Sequence, residues 1–150
     1  MNLRIRKARK QDSKEILRLI IELAKFEKLA PPSKAAQQRL IGDAFSKNPP
    51  FRIILAFDGD KAVGYAFYFF SYSTFLAKRT LYLEDIYIND NYRGCGAGKK
   101  LMNELIEIAK KKKCGRLEWI VLDWNKNAID FYDRLGAKHM KNWFFYRYTI

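Results

Sequence analysis

The chain has 150 residues, 49% hydrophobic and 30% charged, which predicts one folded domain spanning residues 1–150 with a single core and excludes a disordered chain. No apolar run approaches the roughly 20 residues that a bilayer span needs, so no membrane partner is expected. The formal net charge of +13 leaves nucleic-acid contact open, although a solvated lysine-rich face, as at Lys110–Lys113 where cations suit a helix end, is the favoured explanation.

In chain order, Leu3 and Ile5 alternate with Arg4 and Arg6, predicting a half-buried first strand from Leu3 to Ala8. The charged start lacks an apolar signal core, so a cytoplasmic protein is expected. Asp12-Ser-Lys-Glu15 reads as an N-cap with an acid three positions on. Ile16, Leu19, Ile20, Leu23 and Phe26 follow at helical spacing to about Lys28. Pro31-Pro32 stops that helix, Ser33 caps a second through Phe45, and Pro49-Pro50 closes it. Phe51–Phe57 and Ala62–Tyr72 flank Asp58-Gly59, a hairpin signal, and Gly64 marks a bulge or a close backbone approach.

The most informative stretch comes next. A strand, Leu81–Ile88, feeds Tyr92-Arg-Gly-Cys-Gly-Ala-Gly98, which opens a helix with Leu101, Leu105, Ile108 and Ala109 on one face. This order aims several backbone N–H groups and the positive helix end at one point, a place for phosphate. The spacing Arg93-x-x-Gly96-x-Gly98 matches neither the P-loop nor the dinucleotide fingerprint. Leu117–Leu122 predicts a strand parallel to the one before the loop. Asn125–Tyr132 predicts a short helix ended by Gly136, and Trp143–Ile150 a last strand after a short one near His139. Cys95 and Cys114 would lie at opposite ends of the long helix, about 25 Å apart, so both are expected as free thiols. With one histidine and no paired ligand spacing, no metal is expected.

The loop spacing, together with Asn125, Ala128, Phe131-Tyr132 and Gly136, resembles the GCN5-related N-acetyltransferases over essentially the whole chain. Glu22–Glu27, Tyr82-Leu-Glu-Asp85, Tyr92-Arg-Gly94 and Trp124-Asn125 are similar to the diamine (spermidine/spermine) acetyltransferases and their thialysine-acetylating relatives. The resemblance implies an α/β, single-domain fold, with a mixed central β-sheet and helices on both faces, and acetyl-CoA as co-substrate. Backbone groups of Ile86, Tyr87 and Ile88 would meet the pantetheine arm, Arg93, Gly94, Cys95, Gly96, Ala97, Gly98 and Lys99 would hold the diphosphate, and Asn125 and Ala128 would sit beside the arm.

The implied chemistry is transfer of acetyl to a small-molecule amine by direct attack in a ternary complex. Such an amine titrates near pH 10.4 and must lose a proton to attack, a role that falls to Glu84, while Tyr132 would protonate the departing thiolate. Phe26, Glu27, Glu84, Asp85, Glu118 and Trp119 are the candidates for holding the amine through carboxylates and aromatic faces. A polyamine or diamine is the first expectation. Ala128 stands where the diamine enzymes commonly have a hydroxyl residue, and Ser71–Leu76 lacks the acid expected from them. Lysine, thialysine or a peptide amine therefore stay open, as does a CoA-sensing nucleic-acid-binding module. The resemblance also implies a homodimer, through an edge strand near the C-terminus.

Overall fold

A computed structural model of the chain describes residues 2–150. Its elements run β1 (Leu3–Lys7), a 3-10 turn at Lys10–Asp12, α1 (Ser13–Phe26), α2 (Lys34–Ala44), β2 (Arg52–Asp58), β3 (Lys61–Ser73), β4 (Lys78–Ile88), a 3-10 turn at Asp90–Tyr92, α3 (Ala97–Lys111), β5 (Arg116–Glu118) and α4 (Lys126–Arg134). The chain divides into two compact units, one running to Trp119 and the other Ile120–Ile150.

In the first unit the sheet order is β1-β2-β3-β4-β5, antiparallel throughout except for the parallel β4–β5 pair. Alternation along β2 sends Ile53, Leu55 and Phe57 to one face, where they meet Ile16, Leu19 and Leu23 from the apolar stripe of α1. On α3 the apolar stripe likewise buries Leu101, Met102 and Leu105, and this helix packs against β1, β2 and β4. Each such aliphatic side chain contributes about 1.5–3 kcal/mol of transfer free energy, enough to fix which face of each helix turns inward.

Ser33 caps α2 as the sequence predicts, its Oγ accepting from the Ala36 N–H at 3.2 Å. Asp12 does not cap α1. Its carboxylate instead accepts two bonds from the Arg6 guanidinium, at 2.7 and 2.9 Å, and one from the Arg9 N–H at 2.7 Å. A bidentate charged fork outweighs a single cap bond, and it holds the Asp12 carboxyl below its usual range.

Two irregularities shape the central strands. Ala56 pairs with Gly64 and Phe57 with Ala62, which leaves Val63 as an extra residue in β3. Phe67 pairs with Asp85 and Tyr68 with Leu83, which leaves Glu84 as an extra residue in β4. Beside the first bulge, Gly64 faces Ile88 so closely that a Cβ there would lie 2.7 Å from the Tyr87 carbonyl oxygen. The close approach anticipated at Gly64 is present.

The predicted strand Leu117–Leu122 is shorter than expected: β5 covers Arg116–Glu118, pairs only with Thr80–Tyr82, and stops. A continuous apolar run marks side chains that avoid water, but strand length is set by where the neighbouring backbone stays within hydrogen-bonding distance, and the β4 bulge bends that neighbour.

In the second unit α4 is capped by Asn125, whose Oδ1 accepts from the Ala128 N–H at 3.3 Å, and ends before Gly136, which takes a left-handed φ of 84°. The last strand predicted at Trp143–Ile150, and the short one near His139, do not form among the described residues. Period-2 alternation identifies side chains that can share a face, but a strand also needs a partner for its N–H and C=O groups.

Candidate active site

The loop between β4 and α3 is shaped by two glycines with positive φ, Gly94 at 75° and Gly96 at 86°, the latter the N-cap of α3. From Gly94 to Lys99 the backbone N–H groups have no acceptor among the described residues; the first helical bond of α3 is Lys100 N–H to Gly96 O at 3.0 Å. These donors sit at the positive end of a helix running to Lys111, and a Cβ built at Gly94 or Gly96 would meet nothing within 4 Å, an arrangement suited to an anion.

A brace from α1 holds the loop in place. Arg18 donates to Glu22 at 2.5 Å, to Glu15 at 2.7 Å and to the Ala62 carbonyl at 2.6 Å, and the second oxygen of Glu22 accepts from Asn89 Nδ2 at 3.0 Å. Asn89 in turn accepts from the Asn91 N–H, fixing the turn that enters the loop. Arg93, expected to add charge at the phosphate position, is engaged elsewhere. It pairs with Asp90 at 2.8 Å, donates to the Ile88 carbonyl at 3.1 Å, and stacks over Phe26 at 4.4 Å and Tyr87 at 5.7 Å. Cys95 points its Sγ at the Tyr92 carbonyl, while Lys99 is exposed. Ala97 is buried, whereas Gly98 is half-buried.

Past Tyr82 the side of β4 turned away from β3 has no strand partner among the described residues, so the backbone from Leu83 to Ile88 is free to extend a sheet toward an added arm. Ile86 and Ile88 are half-buried on that stretch, and Tyr87 belongs to the core cluster with α1.

The Glu84 bulge has a chemical consequence. In a regular strand consecutive side chains point to opposite faces, but across the bulge Glu84 and Asp85 both line one groove of about 530 Å³. Its walls are apolar: Ile20 from α1, Leu40 from α2, Pro50 and Phe51 ahead of β2, and Phe67 and Phe69 from β3. Phe51 and Phe67 stack with centroids 4.0 Å apart. No lysine or arginine lines the groove.

Asp85 is half-buried, and the hydroxyl of the fully buried Tyr65 donates to its Oδ2 at 3.4 Å. Burial first, and then the charges of Glu84 and Glu27, push the Asp85 carboxyl up to about 6 against the opposing bond from Tyr65. Burial also raises Glu27, which closes the C-terminus of α1, and pushes the Tyr65 phenol well up. Neither Glu27 nor Phe26 lines the groove itself. Glu118 pairs with Arg116 on β5, and Trp119 follows it; neither lines the groove. Within the second unit, Asn125 and Ala128 form the first turn of α4, and Tyr132 packs beside Phe131 with ring centroids 5.5 Å apart. The groove walls, Tyr65, Arg18 and Asn89 are not among the residues the sequence marks as site candidates, whereas Glu22 belongs to the Glu22–Glu27 stretch that carries the resemblance and serves here in the brace.

A run of unbonded backbone N–H groups at a helix start has the chemistry of an anion site, and the groove lined by Glu84 and Asp85 that of a cation site. The family model described as "Acetyltransferase (GNAT) family" matches residues 15–137. The thialysine N-epsilon-acetyltransferase of Mus musculus is 40% identical, covering 97% of this chain and 91% of its own length. The spermidine/spermine N(1)-acetyltransferase-like protein 1 of Homo sapiens is 34% identical over 97% of this chain, which spans 22% of that longer protein. Among solved structures, a possible acetyltransferase from Clostridium difficile 630 superposes with a TM-score of 0.86 at 20% identity, covering 100% of this chain and 99% of that one, a likeness of fold. The chain belongs to the GNAT acetyltransferase family. It is an N-acetyltransferase that takes acetyl-CoA as co-substrate, and the thioester of that co-substrate supplies the acetyl group.

Proposed function

We propose that the acceptor is the terminal primary amine of a flexible alkyl chain, the structure shared by thialysine, lysine and short diamines, with the lysine-like acceptors first. One observation carries this reading: the bulge that brings two consecutive carboxylates to the floor of an apolar groove. Methylene groups are solvated poorly by water and well by Phe51, Phe67 and Phe69, while an ammonium finds its partners at Glu84 and Asp85. The groove offers no cation to an acceptor carboxylate, so the carboxylate of an amino-acid acceptor would stay outside it. The relatives named for thialysine support the lysine-like acceptors, and the relative named for spermidine and spermine supports the wider class. In this reading the amides of the Gly94–Lys99 loop bind the diphosphate, and Tyr132 Oη, assigned from the family motif, supplies a proton to the leaving thiol.

Thiol release followed over a panel of thialysine, lysine, putrescine, spermidine and a peptide with only an α-amine tests the reading. Terminal alkylamines are expected to exceed the α-amine peptide by at least about tenfold in kcat/KM, the scale of discrimination that a shaped groove supplies. Turnover of the peptide α-amine alone would contradict it.

We also propose a homodimer. Trp143, Phe144, Tyr146 and Tyr148 are exposed by 76%, 84%, 86% and 91%, a run of aromatic surface suited to pairing with a second copy. Light scattering is expected to give twice the 17.7 kDa chain mass, falling to one chain mass when Trp143 and Phe145 are both changed to serine. A wild-type monomer at tens of micromolar would refute it.

A further inference from the structure

We propose that the end of α3 and the tip of the β3–β4 hairpin together form a docking surface for single-stranded nucleic acid, with phosphates on five exposed cations and bases on exposed aromatic rings. This surface lies at the opposite end of α3 from the Gly94–Lys99 loop, about 22 Å away along a helix of 15 residues, and shares no residue with the groove.

The sequence shows only a lysine run, and the helix dipole accounts for cations at Lys110–Lys113. The fold adds a second group that no dipole calls for. The Gly115 N–H donates to the Arg79 carbonyl at 2.9 Å, and Gly115 packs so closely on the hairpin that a Cβ there would lie 2.9 Å from Leu76 Cδ1 and 3.4 Å from Lys78 Cβ. Lys78 and Arg79 are thereby brought beside the lysine run, with Arg116 next on β5. Lys110 is paired with Glu107 and Arg116 with Glu118, whereas Lys78, Arg79, Lys111, Lys112 and Lys113 are exposed and have no salt bridge among the described residues. Lys113 closes α3 with a left-handed φ of 56°, the Cys114 N–H donating to the Ala109 carbonyl and its own N–H to that of Lys110. Glycine is the ordinary residue at that position, so a lysine there gives up backbone ease and places a charge.

Like charges gathered in this way repel one another until a polyanion takes up their field, and a chain of phosphates does so with release of counterions. The rings nearby favour nucleic acid over other polyanions. Tyr72, 64% exposed, pairs in register with Arg79, whose guanidinium lies over the half-buried Phe70 ring at 5.9 Å, and Phe75 at the hairpin tip is 98% exposed. Exposed rings set among cations suit the faces of unpaired bases. A lipid surface would need a continuous apolar face; here Ser73 and Thr74 separate the two exposed rings and Leu76 turns toward Gly115.

Fluorescence anisotropy of a labelled single-stranded oligothymidylate, about 15 nucleotides long, titrated with the whole chain across roughly 50–200 mM salt, tests the proposal. For single strands the logarithm of the affinity falls by about 0.7 per neutralised phosphate for each decade of salt, so five engaged cations predict a slope of about −3.5. Changing Lys111, Lys112 and Lys113 together to glutamine is expected to weaken binding at least about tenfold and to bring the slope to about −1.4. Tyr72→Ala is expected to lose about fivefold with the slope kept, because stacking releases no counterions. Acetyl transfer should stay at the wild-type rate in both variants, which also reports intact folding. A control that changes the exposed Lys14, Lys34 and Lys47 to glutamine removes the same charge elsewhere and is expected to bind within about threefold of wild type. Equal losses in the two triple variants would reduce the binding to net charge and overturn the proposal. So would no binding at the lowest salt, or retention of the protein on vesicles of anionic phospholipid but not on the oligonucleotide.

Discussion

Asp85→Asn should unfold at a higher temperature than the wild type at pH 8, by about 6–12 °C. The Asp85 carboxyl sits at about 6 in the fold against about 3.9 when unfolded, so the ionised side chain destabilises the fold by up to about 3 kcal/mol above pH 6. The sign is opposite to that of a salt-bridged acid. As pH falls through 6 the folded protein takes up a proton first, and the penalty shrinks until both states are protonated below about pH 4. The gap between variant and wild type should therefore close on acidification. Asparagine keeps the shape and can still accept from Tyr65, so the gain comes from removing a charge. Calorimetry across pH 4–8 checks this; a variant less stable than wild type at pH 8 would contradict the assigned environment.

Gly64→Ala is expected to act in the opposite direction, lowering stability by about 1–3 kcal/mol and weakening coenzyme A binding together. A Cβ at this position would lie 2.5 Å from Ile88 Cδ1 and 2.7 Å from the Tyr87 carbonyl. The methyl tip of Ile88 can turn aside, but the Tyr87 carbonyl can move only with its strand. That strand is the part of β4 left unpaired on its outer side, so displacing it disturbs the backbone assigned to the pantetheine arm. Thermal unfolding and coenzyme A titration of the one variant read both effects. Unchanged affinity with lowered stability would separate the Gly64 contact from the cofactor edge.

What the chain disclosed in advance depended on whether the signal was local. The Gly94–Gly98 loop was legible because helix caps and positive-φ glycines leave marks in consecutive residues, and α1 and α3 because their apolar stripes repeat within single elements. The Glu84 bulge was not, since two residues opposing one is a property of pairing with Phe67 and Tyr68 and leaves no sign in Glu84 itself. The groove walls escaped for the same reason: Ile20, Leu40, Phe51 and Phe67 come together only through tertiary packing. Glu84 and Asp85 were picked out, but as neighbours on a strand they would have been assigned to opposite faces; their common face is the structure's contribution. The C-terminal alternation misled in the other sense, since a pattern suited to pairing was read as a strand without a partner to pair with.

The central claim is that unpaired amides of the Gly94–Lys99 loop bind the diphosphate of coenzyme A. A crystal structure of the coenzyme A complex tests it most directly. Phosphate oxygens about 3 Å from those backbone nitrogens are predicted; a diphosphate bound elsewhere, with the loop donors facing solvent, would contradict the account.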